Sequence, residues 1–501
     1  MRILSPTRAH QPVVLSICVS ILLSVLPFRT AAGAPRSAAP ADSLAERWTR
    51  AMRELHVPGM IVLVVDRSGV VRNEMLGVRD VERRLPLDTD SRIYIASCTK
   101  PFVACAAALL ATAGQLDLDA PVRRYLPRFT LADAGYADSV TVRDLLGHRP
   151  GLVCRAITRG DAFTGEMTED RYYRLLGGVK PRRSFEYSNL HYTLVGRIIE
   201  AVTGQSWKDV LAERVFRPAG MTRTTCSASA FWVDDNIARP YAYEGGRFVI
   251  AAPLKTDATM HAAGGIYSTS HDLARWLRLQ LGDGVLDGRR VLPAAALHTM
   301  RQLLATEAAE PHPLVKSEQR LAWGAGWDIR AMREDTLYCH NGTFSGSGAF
   351  ISFMPAQDLG VAVVANGSGA SVLLAELVAA EAYDAALGQA GEDAFPTLLK
   401  IAERRARSET APAARGQLSR AARNYGGDFY HDDWGTLKVT VHGDSLDARI
   451  GALPLPIQLT GTDRFVAGGY PGRFEIDATG NIRAVWLNTA QPDSARFERR
   501  Q

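Results

Sequence analysis

Cysteine and lysine are both scarce in this chain of 501 residues. Its six cysteines form no Cys-x-x-Cys pair, so neither a thiolate zinc site nor a dithiol redox motif is supported. Positive charge is only slightly in excess, with 58 Lys+Arg against 53 Asp+Glu and a net +5. No basic run is long enough for a phosphate-binding stripe, which excludes a nucleic-acid partner. After residue 34 no uncharged stretch approaches the ~20 apolar residues of a membrane span, so no stable span is expected after processing. The Gly-x-Ser-x-Gly elbow, the His-Glu-x-x-His helix, the phosphate-binding loop and the dinucleotide fingerprint are all missing. A hydrophobic fraction of 47% with 22% charged residues excludes disorder as the main state.

The opening segment reads as an address. Arg2 and Arg8 precede the apolar run Val13 to Leu26, and Ala32-Gly33-Ala34 has the small-residue form of a cleavage site. Residues 1–34 are therefore expected to be a signal peptide, and the protein periplasmic or secreted. Loss of that segment's three arginines would lower the charge to +2. Cys98, Cys105, Cys154, Cys226 and Cys339 would remain. Their odd number leaves at least one free thiol in a monomer, and buried thiols with room for one bridge are expected.

The rest divides by pattern. Met60 to Asp66 and Val70 to Leu76 read as paired strands, and Cys98 to Ala113 as an Ala-rich helix opened by Ser97. Short helices and loops fill 120–320; Leu194–Thr203 and His271–Leu281 are the clearest helices. Trp327–Ala331, Gly348–Met354 and Gly360–Asn366 read as strands, and Ala370–Leu387 as a helix. Strands distant in sequence then share one sheet, giving an α/β layer with an inserted helical region. Residues 391–415 read as a linker that begins as a charged helix. Residues 416–501 read as a small all-β domain, from alternating segments between Thr436 and Trp486.

Three short elements carry the chemistry. Of the seven lysines, Lys100 is the one with a serine three residues before it, in Ser97-Cys98-Thr99-Lys100. Positions i and i+3 of a helix share a face, and a helix N-terminus favours developing negative charge. A lysine in an apolar site has its pKa lowered and can take a serine's proton. The competing reading is a Ser cap followed by a surface lysine. Tyr187-Ser188-Asn189 offers a proton relay and an amide that can accept from lysine; a core tyrosine with a capping Asn competes. His340-Asn341-Gly342-Thr343 offers a backbone N–H after a glycine, able to approach a substrate oxygen closely; a strand-entry turn competes. His148, His261 and His271 match no common metal-ligand spacing, and His148 is expected to structure a loop near the site. Strand packing is the favoured reading of Trp323 and Trp327, and a solvated helix face that of Glu403 to Arg407.

As a set, these elements resemble the serine β-lactamase and penicillin-binding-protein-like superfamily, in the branch of class C β-lactamases, D-amino-acid peptidases and esterases. Gly114 to Asp119, Leu145 to Leu152, Pro218 to Met221 and Ala263 to Thr269 are similar to the same branch. The resemblance covers 43–390. It implies a β-lactamase-like antiparallel sheet flanked by helices, with the β domain as an appendage found in some members. It also implies that Ser97 is acylated, with Lys100 and Tyr187 handling protons. Asn189 would position Lys100 and the substrate, and the N–H groups of Ser97 and Thr343 would form an oxyanion hole. His340 and Gly342 would line a third wall. The implied reaction is cleavage of an amide or ester in a small molecule or peptide, with no metal or organic cofactor. His340 stands where many β-lactamases carry Lys; neutral His suits a substrate carboxylate less, which leaves peptidase and esterase open. The alternatives are a non-turnover penicillin-binding or sensor protein of the same fold, and a scaffold for the C-terminal β domain acting as a binding module.

Overall fold

The computed structural model describes residues 41–391, 393–409, 416–489 and 494–500. The expected leader over 1–34 and the end of the expected linker, 410–415, lie outside the described residues.

Among the described residues, nine strands build the main sheet: β1 (Gly59–Val65), β2 (Val70–Asp80), β3 (Leu85–Pro86), β4 (Ala305–Pro311), β5 (Glu318–Trp323), β6 (Asp328–Met332), β7 (Asp335–Phe344), β8 (Ser347–Met354) and β9 (Leu359–Ala365). Their order is β4-β5-β6-β7-β8-β9-β1-β2-β3, with every neighbouring pair antiparallel. The centre is β1, β8 and β9, buried along their whole lengths. Alternation of side chains across a strand sends Ile61, Leu63 and Val65 into one core and Met60, Val62 and Val64 into another.

Six longer helices matter to the site: α1 (Ala41–Glu54), α2 (Lys100–Thr112), α3 (Asn189–Thr203), α4 (Ser270–Leu281), α5 (Ser371–Leu387) and α6 (Phe395–Glu409). The first core holds α2, α3 and α4. The second holds α1 and α5, and α6 lays Phe395 and Leu398 into it. Sheet and helices thus form the β-lactamase-like layers, with the helical region inserted between β3 and β4.

The C-terminal strands close into an eight-stranded barrel running from Gly427–His431 to Ala495–Arg499. Sequence patterning missed the strand at each end, and these two pair to close the barrel. Phe429, Phe465, Phe474, Phe497 and Tyr425 fill its interior. The barrel docks through Arg174 to Asp433 at 2.7 Å and Ala452 N–H to the Thr164 carbonyl at 2.9 Å. Phe163 packs against the barrel's core. Cys98, Cys105, Cys226 and Cys339 are buried free thiols and Cys154 is a half-buried one, so no bridge forms among the described residues.

Candidate active site

The segment around Ser97 departs from a simple helix start. Ala96–Thr99 forms a 3-10 turn, and the α-helix begins only at Lys100, with Pro101 in its first turn. In a 3-10 turn residues i and i+3 eclipse, so the turn aligns Ser97 with Lys100 better than an α-helix would. Ala96 has φ +48°, a left-handed conformation costing ~1–3 kcal/mol in a non-glycine residue. Three bonds hold it there. Ile95 N–H donates to the Ile266 carbonyl at 3.1 Å, Ser347 Oγ to the Tyr94 carbonyl at 2.5 Å, and Cys98 Sγ to the His340 carbonyl at 3.1 Å.

Lys100 is fully buried. Its Nζ lies 3.0 Å from Ser97 Oγ, 2.9 Å from Asn189 Oδ1 and 2.7 Å from the Ala263 carbonyl. Burial holds its pKa well below the usual lysine range, because among the described residues no nearby carboxylate offsets the cost of a desolvated charge. The neutral amine fits this geometry. Two N–H groups go to Asn189 and Ala263, and the lone pair faces the Ser97 hydroxyl. Asn189 is free for this role because Ser188 caps α3, its Oγ accepting from Leu190 N–H at 3.2 Å.

Tyr187 completes the group around Ser97. Its side chain is 37% exposed, yet its ring lies 4.9 Å from Lys100 Nζ. Burial of its hydroxyl end pushes the phenol's pKa up, and the neighbouring Ser97 side chain partly opposes the rise.

The residues 340–343 are not a strand-entry turn. They lie inside β7, whose pairing with β6 ends at Cys339. From His340 to Phe344 that side of β7 has no strand partner among the described residues, so its main chain borders the Ser97 turn, and together with Tyr187 the two outline the candidate groove. Asn341 reaches the opposite face, where its Nδ2 donates to Glu376 Oε1 on α5 at 2.7 Å. A Cβ on Gly342 would collide with the Ile95 carbonyl and stand 3.1 Å from Ser97 N. Glycine therefore lets β7 press against the Ser97 turn, and brings the N–H groups of Ser97 and Thr343 to the same side of the groove. His340 is 1% exposed. Burial lowers its pKa to about 3. Its Nδ1 is 2.6 Å from the Asn341 carbonyl and must carry the proton there, which leaves Nε2 as a bare acceptor without a partner.

All seven residues singled out in sequence converge on this groove, and several neighbours went unrecognised. Trp323 stacks on Phe185 at 5.5 Å and stands 5.4 Å from Tyr187 and 5.7 Å from His340, so it walls the groove where strand packing was favoured. Trp327 does pack within the fold, against Phe353. His191 accepts from Leu152 N–H at 3.0 Å through Nε2, so its Nδ1–H donates to His148 Nδ1 at 2.9 Å. This fixes the His148 ring 4.7 Å from Tyr187. No local pattern marks His191 or Cys98; each matters through a partner far away in sequence.

A family model described as Beta-lactamase matches residues 44–384. Penicillin-binding protein 4 of Amycolatopsis lactamdurans is 30% identical over 340 residues, 66% of this chain and 87% of that protein. Protein flp of Staphylococcus aureus (strain NCTC 8325 / PS 47) is 27% identical over 316 residues, 62% of this chain and 60% of its own length. The octameric penicillin-binding protein homologue from Pyrococcus abyssi shares the fold with a TM-score of 0.62 at 24% identity, covering 92% of this chain and 100% of that one. The D-amino acid amidase from Ochrobactrum anthropi SV3, solved with L-phenylalanine amide, gives 0.54 at 23%, covering 73% and 99%. With its fold, its groove and this match over most of its length, the chain belongs to the Beta-lactamase family.

Proposed function

We propose that the protein is an exported serine hydrolase that forms an acyl-enzyme on Ser97 and cleaves amides or esters, as a peptidase or an esterase. The contact of Lys100 Nζ with Ser97 Oγ, 3.0 Å in a fully buried site, carries this reading. In the proposed step the Ser97 proton passes to neutral Lys100 while Oγ bonds to the substrate carbonyl carbon. The carbonyl oxygen gains the electron pair and lies against the N–H groups of Ser97 and Thr343. Collapse breaks the bond to the leaving group, which takes a proton through Tyr187 and leaves an ester on Ser97. Water then reverses the sequence and frees the acid.

The buried, neutral imidazole of His340 offers no positive charge to a substrate carboxylate, which supports an uncharged amide or ester group at that wall. The amidase among the structural relatives agrees with an amide substrate. Placement outside the cytoplasm rests on the sequence of the first 34 residues.

The test is a fluorophosphonate probe with intact-mass readout, followed by a turnover panel of D-amino-acid amides, short nitrophenyl esters and a chromogenic cephalosporin. One adduct, lost in Ser97→Ala, with product release from an amide or ester, is the expected result. No adduct on folded protein would overturn the assignment of Ser97. Stoichiometric acylation without product release would favour the sensor.

A further inference from the structure

Lys255 is the second buried lysine, and the proposed hydrolysis makes no use of it. It is 4% exposed. Its Nζ donates to the Ala162 carbonyl at 2.6 Å and the Thr259 carbonyl at 3.2 Å. The Phe344 ring lies 4.0 Å away, with Phe163 and Tyr94 beyond at 5.7 and 5.9 Å. Buried charges are normally paired, yet among the described residues no carboxylate pairs with this one. The nearby Asp257 accepts from Ser227, Ala228 and Ser229. Asp161, next to Ala162, is half-buried and feels the charge of Arg197. The remaining titratable neighbours are neutral. Burial and surrounding lysines hold the His261 pKa down, and burial pushes the Tyr94 and Tyr267 phenols up. Burial alone lowers Lys255 to about 7.

Lys255 lines a cleft with Tyr94, Trp232, Leu254, Tyr267 and Phe344. Its free interior is about 20 Å³, the space of one small group. Phe344 follows Thr343 on β7, and Tyr94 lies three residues before Ser97, so the cleft shares both supports of the groove. We propose that this cleft is an anion subsite that admits the carboxylate of a slim, unbranched acid, supplying the counter-charge that the fold withholds from Lys255. A ring or branched group would not enter the interior, and apolar walls favour a methylene chain behind the carboxylate. The shared chemistry fits either the remote end of a substrate or a separate acid.

The test is calorimetric titration of full-length Ser97→Ala protein with hexanoate and with hexanamide, so that its outcome is independent of hydrolysis. Hexanoate should bind at least tenfold more tightly at pH 6.5. Only the charged amine attracts it, so its affinity should fall about tenfold per pH unit above ~7, while that of hexanamide stays level. Lys255→Met should abolish the preference. Lys255→Arg, whose charge does not titrate in this range, should keep the preference and flatten its pH dependence. Equal binding of acid and amide to the unaltered cleft would overturn the proposal even if a variant failed to fold. So would a preference unchanged in folded Lys255→Met. With Ser97 intact, a nitrophenyl ester bearing a remote carboxylate separates the two sources. A lower KM than its uncharged analogue, lost in Lys255→Met, marks a substrate group. Hexanoate changing the rate without competing marks a separate ligand.

Discussion

Lys100 meets Ser97, an amide and a carbonyl but no carboxylate, and this decides the pH response. A group with a lowered pKa loses its proton as pH rises through that value, and here the deprotonated form is the base. Acylation should therefore climb with pH and then stay flat, because the Tyr187 phenol is shifted upward and His340 is neutral above about 3. Pre-steady-state acylation measured from pH 4 to 9.5 checks this; a bell centred near the ordinary histidine pKa would count against it. Lys100→Ala should slow acylation by about 10²–10⁴-fold, the usual weight of a positioned base. Gly342→Ala should cost ~10²–10³ in kcat, as loss of an oxyanion donor does, since its Cβ would push β7 off the Ile95 carbonyl. Labelling kinetics at fixed probe concentration would reveal either effect.

At the scale of elements, β7 is the strand that most needs explaining. One face presents His340 to the groove, and the other ties Asn341 to Glu376 on α5. Glu376 also accepts from His312 Nε2 at 2.6 Å and lies 3.6 Å from Arg330. Removing one partner from a buried ionic cluster costs ~3–5 kcal/mol, so Glu376→Ala should lose about that much in urea unfolding. It should also slow acylation, although it touches no substrate. This strand was not legible as one in sequence. Its polar residues serve two faces, so neither an apolar run nor a clean alternation marks it. By contrast β1, β8 and β9 were legible because both faces are buried and, apart from Ser347 and Ser352, no residue is polar. The edge strand β4 and its neighbour β5, like the first and last barrel strands, are too polar to stand out. The site residues were legible because each pair lies within a few positions on one turn or strand. Their supports, Cys98, His191, Trp323 and Glu376, became visible only through partners distant in the chain.

For the molecule as a whole, the barrel and the groove meet through one aromatic contact. Phe163 packs on the barrel and lies 5.3 Å from Phe344, the residue after Thr343. Phe163→Ala should reduce acylation by roughly tenfold, about 1.4 kcal/mol in barrier, with circular dichroism unchanged. An unaltered rate would make the barrel a bystander to chemistry. The sheet order has a consequence in time as well as in space. Residues 60–65 pair with 360–365, so the middle of the sheet joins segments separated by most of the catalytic unit. Such non-local pairings form late and slowly. A growing chain that has already made Ser97 and Lys100 still lacks the strand that would face them. On the proposed mechanism, Ser97 should become reactive only when the sheet closes.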